Sequence, residues 1–170
     1  TKRDVFLCHC SKDKDEYIIP LSKAFENAGI TFWIDNAMIR WGDSISKAVN
    51  EGLETSSFVI VFISEEFINQ PWPEAELYAS LSRENSSGEV IVLPLLIANP
   101  KSVLTKYPLL HDKLYLKWED GIEEIVQQLL SRLGRNVEKT QILDVSAEDN
   151  PSRVELMVGY GGMIQLLNRT

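Results

Sequence analysis

The sequence predicts an α/β fold in which a parallel sheet of five strands is wound on both faces by helices. Three observations predict it. Strand-like apolar runs alternate with helical patterns along the chain, as in successive βαβ units. Two of the runs, FVIVFIS (58–64) and VIVLPLLIA (90–98), are almost unbroken in Val, Ile, Leu and Phe, the mark of strands covered on both faces. The 170 residues suffice for one core and a small appendage.

The first strand is VFLCHC (5–10). The helix after it places Tyr17, Leu21, Ala24, Phe25 and Ala28 on one face. Pro20 fits if it lies in the first turn, where amides lack partners, and Gly29 closes the helix. ITFWID (30–35) is the second strand. Ile45, Ala48, Val49 and Leu53 form the next apolar stripe, capped by Asp43 or Ser44. The third strand, 58–64, leads to a helix whose apolar face carries Ala75, Tyr78 and Leu81, with Leu77 beside them. Trp72 and Glu76 are four apart and are expected to share a different face of that helix. The fourth strand, 90–98, contains Pro94, awkward for an inner strand because it donates no hydrogen bond. Residues 99–113, with Pro100 and Pro108 as breakers, read as irregular. LYLKW (114–118) is the fifth strand. Ile122, Ile125, Val126, Leu129, Leu130 and Leu133 make the last and clearest stripe, stopped by Gly134. Right-handed crossovers then give a flavodoxin-like order, 2-1-3-4-5. Residues 1–134 are expected to form this domain, and 135–170 a connector leading into a further module or an oligomerisation arm.

The net charge of −8 argues against nucleic acid or an anionic membrane as the main partner. No apolar run is long enough to span a bilayer and no signal peptide is visible, so a cytoplasmic protein is expected. Cys8 and Cys10 lie two apart on one strand and point to the same face, where a bond between them would be strained; they read as reduced thiols. The Cys-His-Cys stretch lacks a second ligand pair, so no metal is expected.

Sheets of this kind bind ligands beyond the carboxyl ends of their strands, near the switch between strands one and three. The loops there hold His9, Cys10, Ser11, Lys12 and Asp13, then Trp33, Asp35 and NAMIRWGDSI (36–45), then SEEFINQPWPEAE (64–76). Several chemistries fall away. The third strand ends in Ser64, not the aspartate of a phosphate-accepting receiver. No glycine-rich loop with Lys-Ser/Thr is present, and GYGG (159–162) comes too late to open a dinucleotide-binding unit. His9 and Cys10 are neighbours on a strand and point to opposite faces, which disfavours a nucleophile–base pair. Backbone amides with Ser11 or Lys12 suit phosphate groups. Trp41, an aromatic in a loop, suggests contact with another chain.

At these residues the chain resembles the TIR (Toll/interleukin-1 receptor) domain family. DVFLCHCSKDKD (4–15) resembles its opening box, a strand running into Ser-x-Asp. GITFWIDNAMIRWGDSI (29–45) resembles the second strand and the BB loop. SSFVIVFISEEFINQPWPEAEL (56–77) resembles the third strand and the Trp-x-x-x-Glu entry to the third helix, and Trp118 resembles the third box. The resemblance spans residues 4–134 in register; Cys-His-Cys and Pro73 depart from the family's usual residues. It implies one of two functions. Some members cleave NAD+ between nicotinamide and ribose in innate or anti-phage immune signalling; others are non-catalytic adaptors acting through TIR–TIR contacts.

In the cleaving kind the catalytic residue matches Glu76, and the substrate needs no added cofactor. Nicotinamide leaves NAD+ as a neutral ring, so no proton need be delivered to it. A fixed carboxylate that steadies the developing positive charge on ribose suffices, unlike the paired carboxylates of ordinary glycosidases. The resemblance further implies Trp72 and Trp33 as ring-stacking residues and Arg40 as a phosphate contact from a neighbouring copy. It makes Ile39, Arg40, Trp41, Gly42 and Asp43 of the BB loop the self-association surface. The competing reading of Glu76 is an ordinary first-turn carboxylate, favoured by the helix dipole by about 0.3–1 kcal/mol.

Overall fold

The computed structural model describes residues 2–34, 37–112 and 115–135. Its centre is β1 (Arg3–Cys10), flanked by β4 (Ser56–Ile63) on one side and by two short strands, β2 (Phe32–Trp33) and β3 (Met38–Ile39), on the other. The sheet continues through β5 (Val92–Leu96) to β6 (Leu116–Lys117), giving the order β2-β1-β4-β5-β6 with every pairing parallel. This is the expected flavodoxin-like order, with one refinement. The second strand is not one run over 30–35 but two short pieces. Thr31 is taken up by Asp4, whose carboxylate accepts from the Thr31 N–H at 2.9 Å, and residues 35–36 lie outside the described part.

Both faces of the sheet are covered, which is why its inner strands are so uniformly apolar. Phe6, Cys8 and Cys10 of β1 share a core cluster with Val59, Val61 and Ile63 of β4. The helices α2 (Ile45–Thr55), α4 (Glu74–Leu81) and α5 (Pro100–Lys106) close over it, contributing Ile45, Val49, Leu77, Leu81 and Val103. The alternate residues, Val5, Leu7, Ile60, Phe62, Leu93 and Leu95, are equally buried and point the other way. Leu21 and Phe25 of α1 (Ile19–Asn27) and Ile125 and Leu129 of α6 (Ile122–Arg132) are buried outside the first cluster. Cys8 and Cys10 are free thiols on one face, as expected. Burial pushes the Cys8 thiol up, and that of Cys10 up to about 12, so neither ionises near neutral pH.

Other expectations need correction, each for a local reason. Pro94 sits inside β5 opposite Val61. The bonds Val59 N–H to Ile91 O and Ile97 N–H to Ile63 O show that odd-numbered residues of β5 face β4. Pro94 therefore turns its missing donor towards β6, whose pairing begins at Leu95, and no ladder bond to β4 is lost. Residues 99–112 are not irregular, and residue 113 lies outside the described part. Asn99 caps α5, its side chain accepting from the amides of Lys101 at 2.9 Å and Ser102 at 3.3 Å, and Pro100 starts the helix rather than breaking it. A short 3₁₀ turn, Pro108–Asp112, follows. On α4 the buried face is Leu77, Ser80 and Leu81, whereas Ala75 is exposed.

The described residues up to Leu129 form one compact unit. Helix α6 is closed, two residues beyond Arg132, by Gly134, whose φ of 74° is the left-handed conformation expected of glycine there. The connector and module expected over 135–170 lie, from residue 136 on, outside the described residues. Among the described residues no helix is long and apolar enough to cross a membrane.

Candidate functional site

Glu76 occupies the first turn of α4, at the carboxyl edge of the sheet, where β4 has run through α3 (Glu65–Ile68) and the loop Asn69–Pro73. Its Oε2 accepts three hydrogen bonds from the start of α2: Ser44 Oγ at 2.6 Å, Ser46 Oγ at 2.9 Å and the Ser46 N–H at 3.0 Å. Ser44 is the N-cap of α2 and its Oγ also accepts from the Lys47 N–H. The Ser46 N–H is one of the first-turn amides that a helix leaves unpaired. Glu76 thus supplies an anion at the positive end of α2. Ser44's hydroxyl, then the Ser46 amide and hydroxyl, hold the Glu76 carboxyl below the usual carboxylate range, outweighing desolvation. The carboxylate is ionised at neutral pH, half-buried and fixed through one oxygen. Among the described residues none donates to Oε1.

Beside Ser44 a cleft of about 200 Å³ opens between β3 and α2. Phe6, Met38 and Ala48 form its apolar part, and its charged lining is mixed, Arg40 and Lys47 facing it together with Asp43 and Glu51. Asp43 shapes the loop above: its carboxylate accepts from the Arg40 N–H at 2.7 Å, and its own N–H returns to Arg40 O. Gly42, at φ 89°, makes the turn between them.

The loop after β1 is tied down from below and from the side. Ser64 Oγ donates to Asp13 Oδ2 at 2.5 Å while accepting from the Phe67 N–H, so one side chain links the Ser11–Asp13 turn to the end of β4 and caps α3. Burial is the main reason that the Asp13 carboxyl titrates above its ordinary value. Glu66, on α3, pairs with Lys12 Nζ at 3.5 Å and accepts from the Trp41 indole N–H at 3.1 Å. Trp41 is 60% exposed yet tethered.

Of the residues read from the sequence, Glu76 and the loop Arg40–Asp43 gather around Ser44. Ser11 and Lys12 are exposed at the same edge of the sheet. The others differ. Trp72 precedes α4, whose N-cap is Pro73, so it shares no helical face with Glu76. Its ring packs on Phe67 at 4.9 Å and its indole N–H donates to Phe67 O at 2.8 Å, which makes it a buried brace of the loop. Trp33 lies under Arg3, with the guanidinium 3.8 Å from the ring, and donates to Thr55 O. Thr55 ends the eleven-residue α2, so Trp33 sits at the strand-start edge, roughly 16 Å of helix from Ser44. Trp33 therefore lies at the far end of α2 from Ser44, and the Trp72 indole is engaged by Phe67. His9 is buried, its Nδ1–H donating to Leu7 O at 2.7 Å, and Cys10 is buried with Gln70 on its sulfur. Ile39, expected at an interface, is buried in the core beside Cys10. Asp35 lies outside the described residues.

Sequence reasoning missed Ser46 and Glu66, and it read Ser44 as a cap alone. The cap signal was visible; its partner, 32 residues away, was not.

The profile of the family described as TIR domain matches residues 5–133. The 2′ cyclic ADP-D-ribose synthase AbTIR of Acinetobacter baumannii is 33% identical over 128 residues, 74% of this chain and 47% of that protein. The NAD(+) hydrolase TirS of Staphylococcus aureus is 35% identical over 128 residues, 74% of this chain and 46% of that protein. The chain therefore spans about half the length of these curated relatives. The TIR domains of the activated Roq1 resistosome superpose with a TM-score of 0.52 at 19% identity, over 78% of this chain and 99% of theirs, a likeness of fold.

Proposed function

Since the chain belongs to the TIR domain family, we propose that it is an NAD+ nucleosidase, breaking the nicotinamide–ribose bond when copies of it assemble. The observation that carries this reading is the state of Glu76: ionised, anchored through Oε2, with Oε1 unengaged among the described residues. Relatives of similar sequence bear the names of NAD(+) hydrolases and cyclic ADP-ribose synthases, which supports the same chemistry here.

In the reaction the C1′–N bond breaks heterolytically. Its electron pair goes to the pyridinium nitrogen and cancels the ring's charge. Positive charge develops on C1′ and the ring oxygen of ribose, where a fixed carboxylate is worth most. Water, losing a proton, closes the reaction to linear ADP-ribose; a hydroxyl of the same molecule closes it to a cyclic product. The free oxygen of Glu76 is suited to the ribose hydroxyls. The cations Arg40 and Lys47, and Ser11 and Lys12 at the same edge, suit the diphosphate. No resident cofactor takes part. The partners are NAD+ and further copies of the chain, with Trp41 at the contact, in a cytoplasmic immune signalling role.

A specific observation favours a second reading. The bonds to Glu76 from Ser44 and from the Ser46 amide also serve the cap of α2, which a non-catalytic adaptor would need equally. Incubation of the protein with NAD+ over a range of protein concentrations separates the two. Nicotinamide release that rises more steeply than protein concentration supports the enzyme; no release at any concentration supports the adaptor.

A further inference from the structure

We propose that Ser44 and Ser46 are positioning residues of the reaction: they aim Glu76, holding Oε2 so that Oε1 faces substrate. The inference rests on the reading of Glu76 as the catalytic carboxylate. It comes from an inventory of protons at the start of α2. The Ser44 and Ser46 hydroxyls lie 3.0 Å apart, and each also lies within 2.9 Å of Glu76 Oε2. A carboxylate is a stronger acceptor than a hydroxyl, so both protons go to Glu76. Ser44 is required by the helix in any case, since its Oγ accepts from the Lys47 N–H. Ser46 is not. It stands inside the first turn, past the cap, and its hydroxyl donates to Glu76 and gives nothing to the helix.

A carboxylate at a helix start ordinarily takes its hydrogen bonds from the backbone amides that the first turn leaves unpaired. Here two hydroxyls are added to one amide, and all three converge on the same oxygen. A glutamate has three rotatable bonds, and three donors on one oxygen confine it to one orientation. That pre-orientation is what a group acting on a transient cation requires, because nothing then reorganises during bond cleavage. A carboxylate serving only as a cap gains nothing from the third donor in directing its other oxygen.

The test is Ser46→Ala, which deletes one donor and leaves the Ser46 amide and the Ser44 cap in place. Three changes are expected together: kcat for nicotinamide release falls about tenfold, KM moves little, and the acid limb of the kcat–pH profile shifts to higher pH. A ¹³C-carboxyl titration of Glu76 by NMR shifts the same way without reference to activity. Ser46→Thr, which keeps the hydroxyl, restores the native profile. Ser44→Ala with Ser46→Ala shifts both readouts further. A folded Ser46→Ala protein with native kcat overturns the inference, whether or not its Glu76 titration shifts, because a cap alone would move the titration and leave the rate. Should Ser46→Ala lose its fold, Ser46→Cys, close in volume and a weaker donor, takes its place in both readouts. The underlying reading fails separately: if Glu76→Gln retains native activity, the carboxylate is not catalytic whatever Ser46 does.

Discussion

Ser64 donates to Asp13 at 2.5 Å across 51 residues of sequence, joining the turn after β1 to the end of β4. The pair fixes the two loops between which a ligand at the switch point of this sheet would lie. Asp13→Ala strands the Ser64 hydroxyl in a buried place and is expected to cost about 1–3 kcal/mol. Asp13→Asn keeps an acceptor for Ser64 and removes a charge that burial disfavours, so it is expected at or above native stability. The folded pKa of Asp13 lies above its unfolded value, so protonation favours the folded state. The gap between Asp13→Asn and the native chain therefore narrows as pH falls through the Asp13 pKa. Urea unfolding of the three proteins at several pH values checks this; equal losses for Ala and Asn would contradict it.

Glu76 behaves in the opposite sense. Its folded pKa is depressed by the Ser44 hydroxyl and the Ser46 amide and hydroxyl. Its contribution to stability is complete above the ordinary carboxylate pKa, about 4.3, and is lost as pH falls through the folded value. Measured by unfolding between neutral and strongly acid pH, the native protein is expected to exceed Glu76→Gln at neutral pH and to converge with it in acid. A gap independent of pH would contradict the ionised, hydrogen-bonded carboxylate.

Gly52 lets α2 pack closely on the sheet. A Cβ there would lie 2.7 Å from Phe6 Cδ2 and 2.7 Å from Val59 Cγ2. Alanine would gain roughly 1 kcal/mol of helix propensity, while overpacking costs about 1–3 kcal/mol. Phe6 and Val59 are both buried, so the clash is expected to win. Gly52→Ala should unfold at lower denaturant than the native protein; a stabilised variant would show that α2 rides freely on the sheet.

Trp41 is exposed but held by Glu66. Trp41→Ala is expected to change folding stability by no more than about 0.5 kcal/mol, as for a surface site. It should raise the protein concentration at which nicotinamide release reaches half its maximum, because the ring is the proposed contact between copies. An unchanged concentration dependence would remove Trp41 from the assembly surface.

Much of the architecture was legible because its causes are local. The strands β4 and β5 announce themselves by continuous burial, and the position of Glu76 at the mouth of α4 follows from strand, loop and helix in that order. What escaped depends on tertiary partners or on boundaries. Four-residue spacing between Trp72 and Glu76 implies a shared face only if both are helical; Pro73 is the N-cap of α4, so Trp72 lies before the helix and its ring packs on Phe67. Trp33 looked like a site residue because its strand ends at the site edge, yet its indole reaches back to Thr55. Pro100 reads as a breaker by itself, but Asn99 before it is a helix cap, and Asn-Pro together mark a helix start. The Ser44–Ser46–Glu76 cluster joins residues 30 and 32 apart, and no pattern within one element encodes it.

The most direct test of the central claim is nicotinamide release from NAD+ by Glu76→Gln, at a protein concentration where the native chain is active and with the fold verified by its melting curve. Glutamine preserves shape and hydrogen bonding but cannot offset charge on ribose. The account predicts a loss of at least about 100-fold, the scale of about 3 kcal/mol in the barrier. Release at the native rate from a folded Glu76→Gln protein would contradict it.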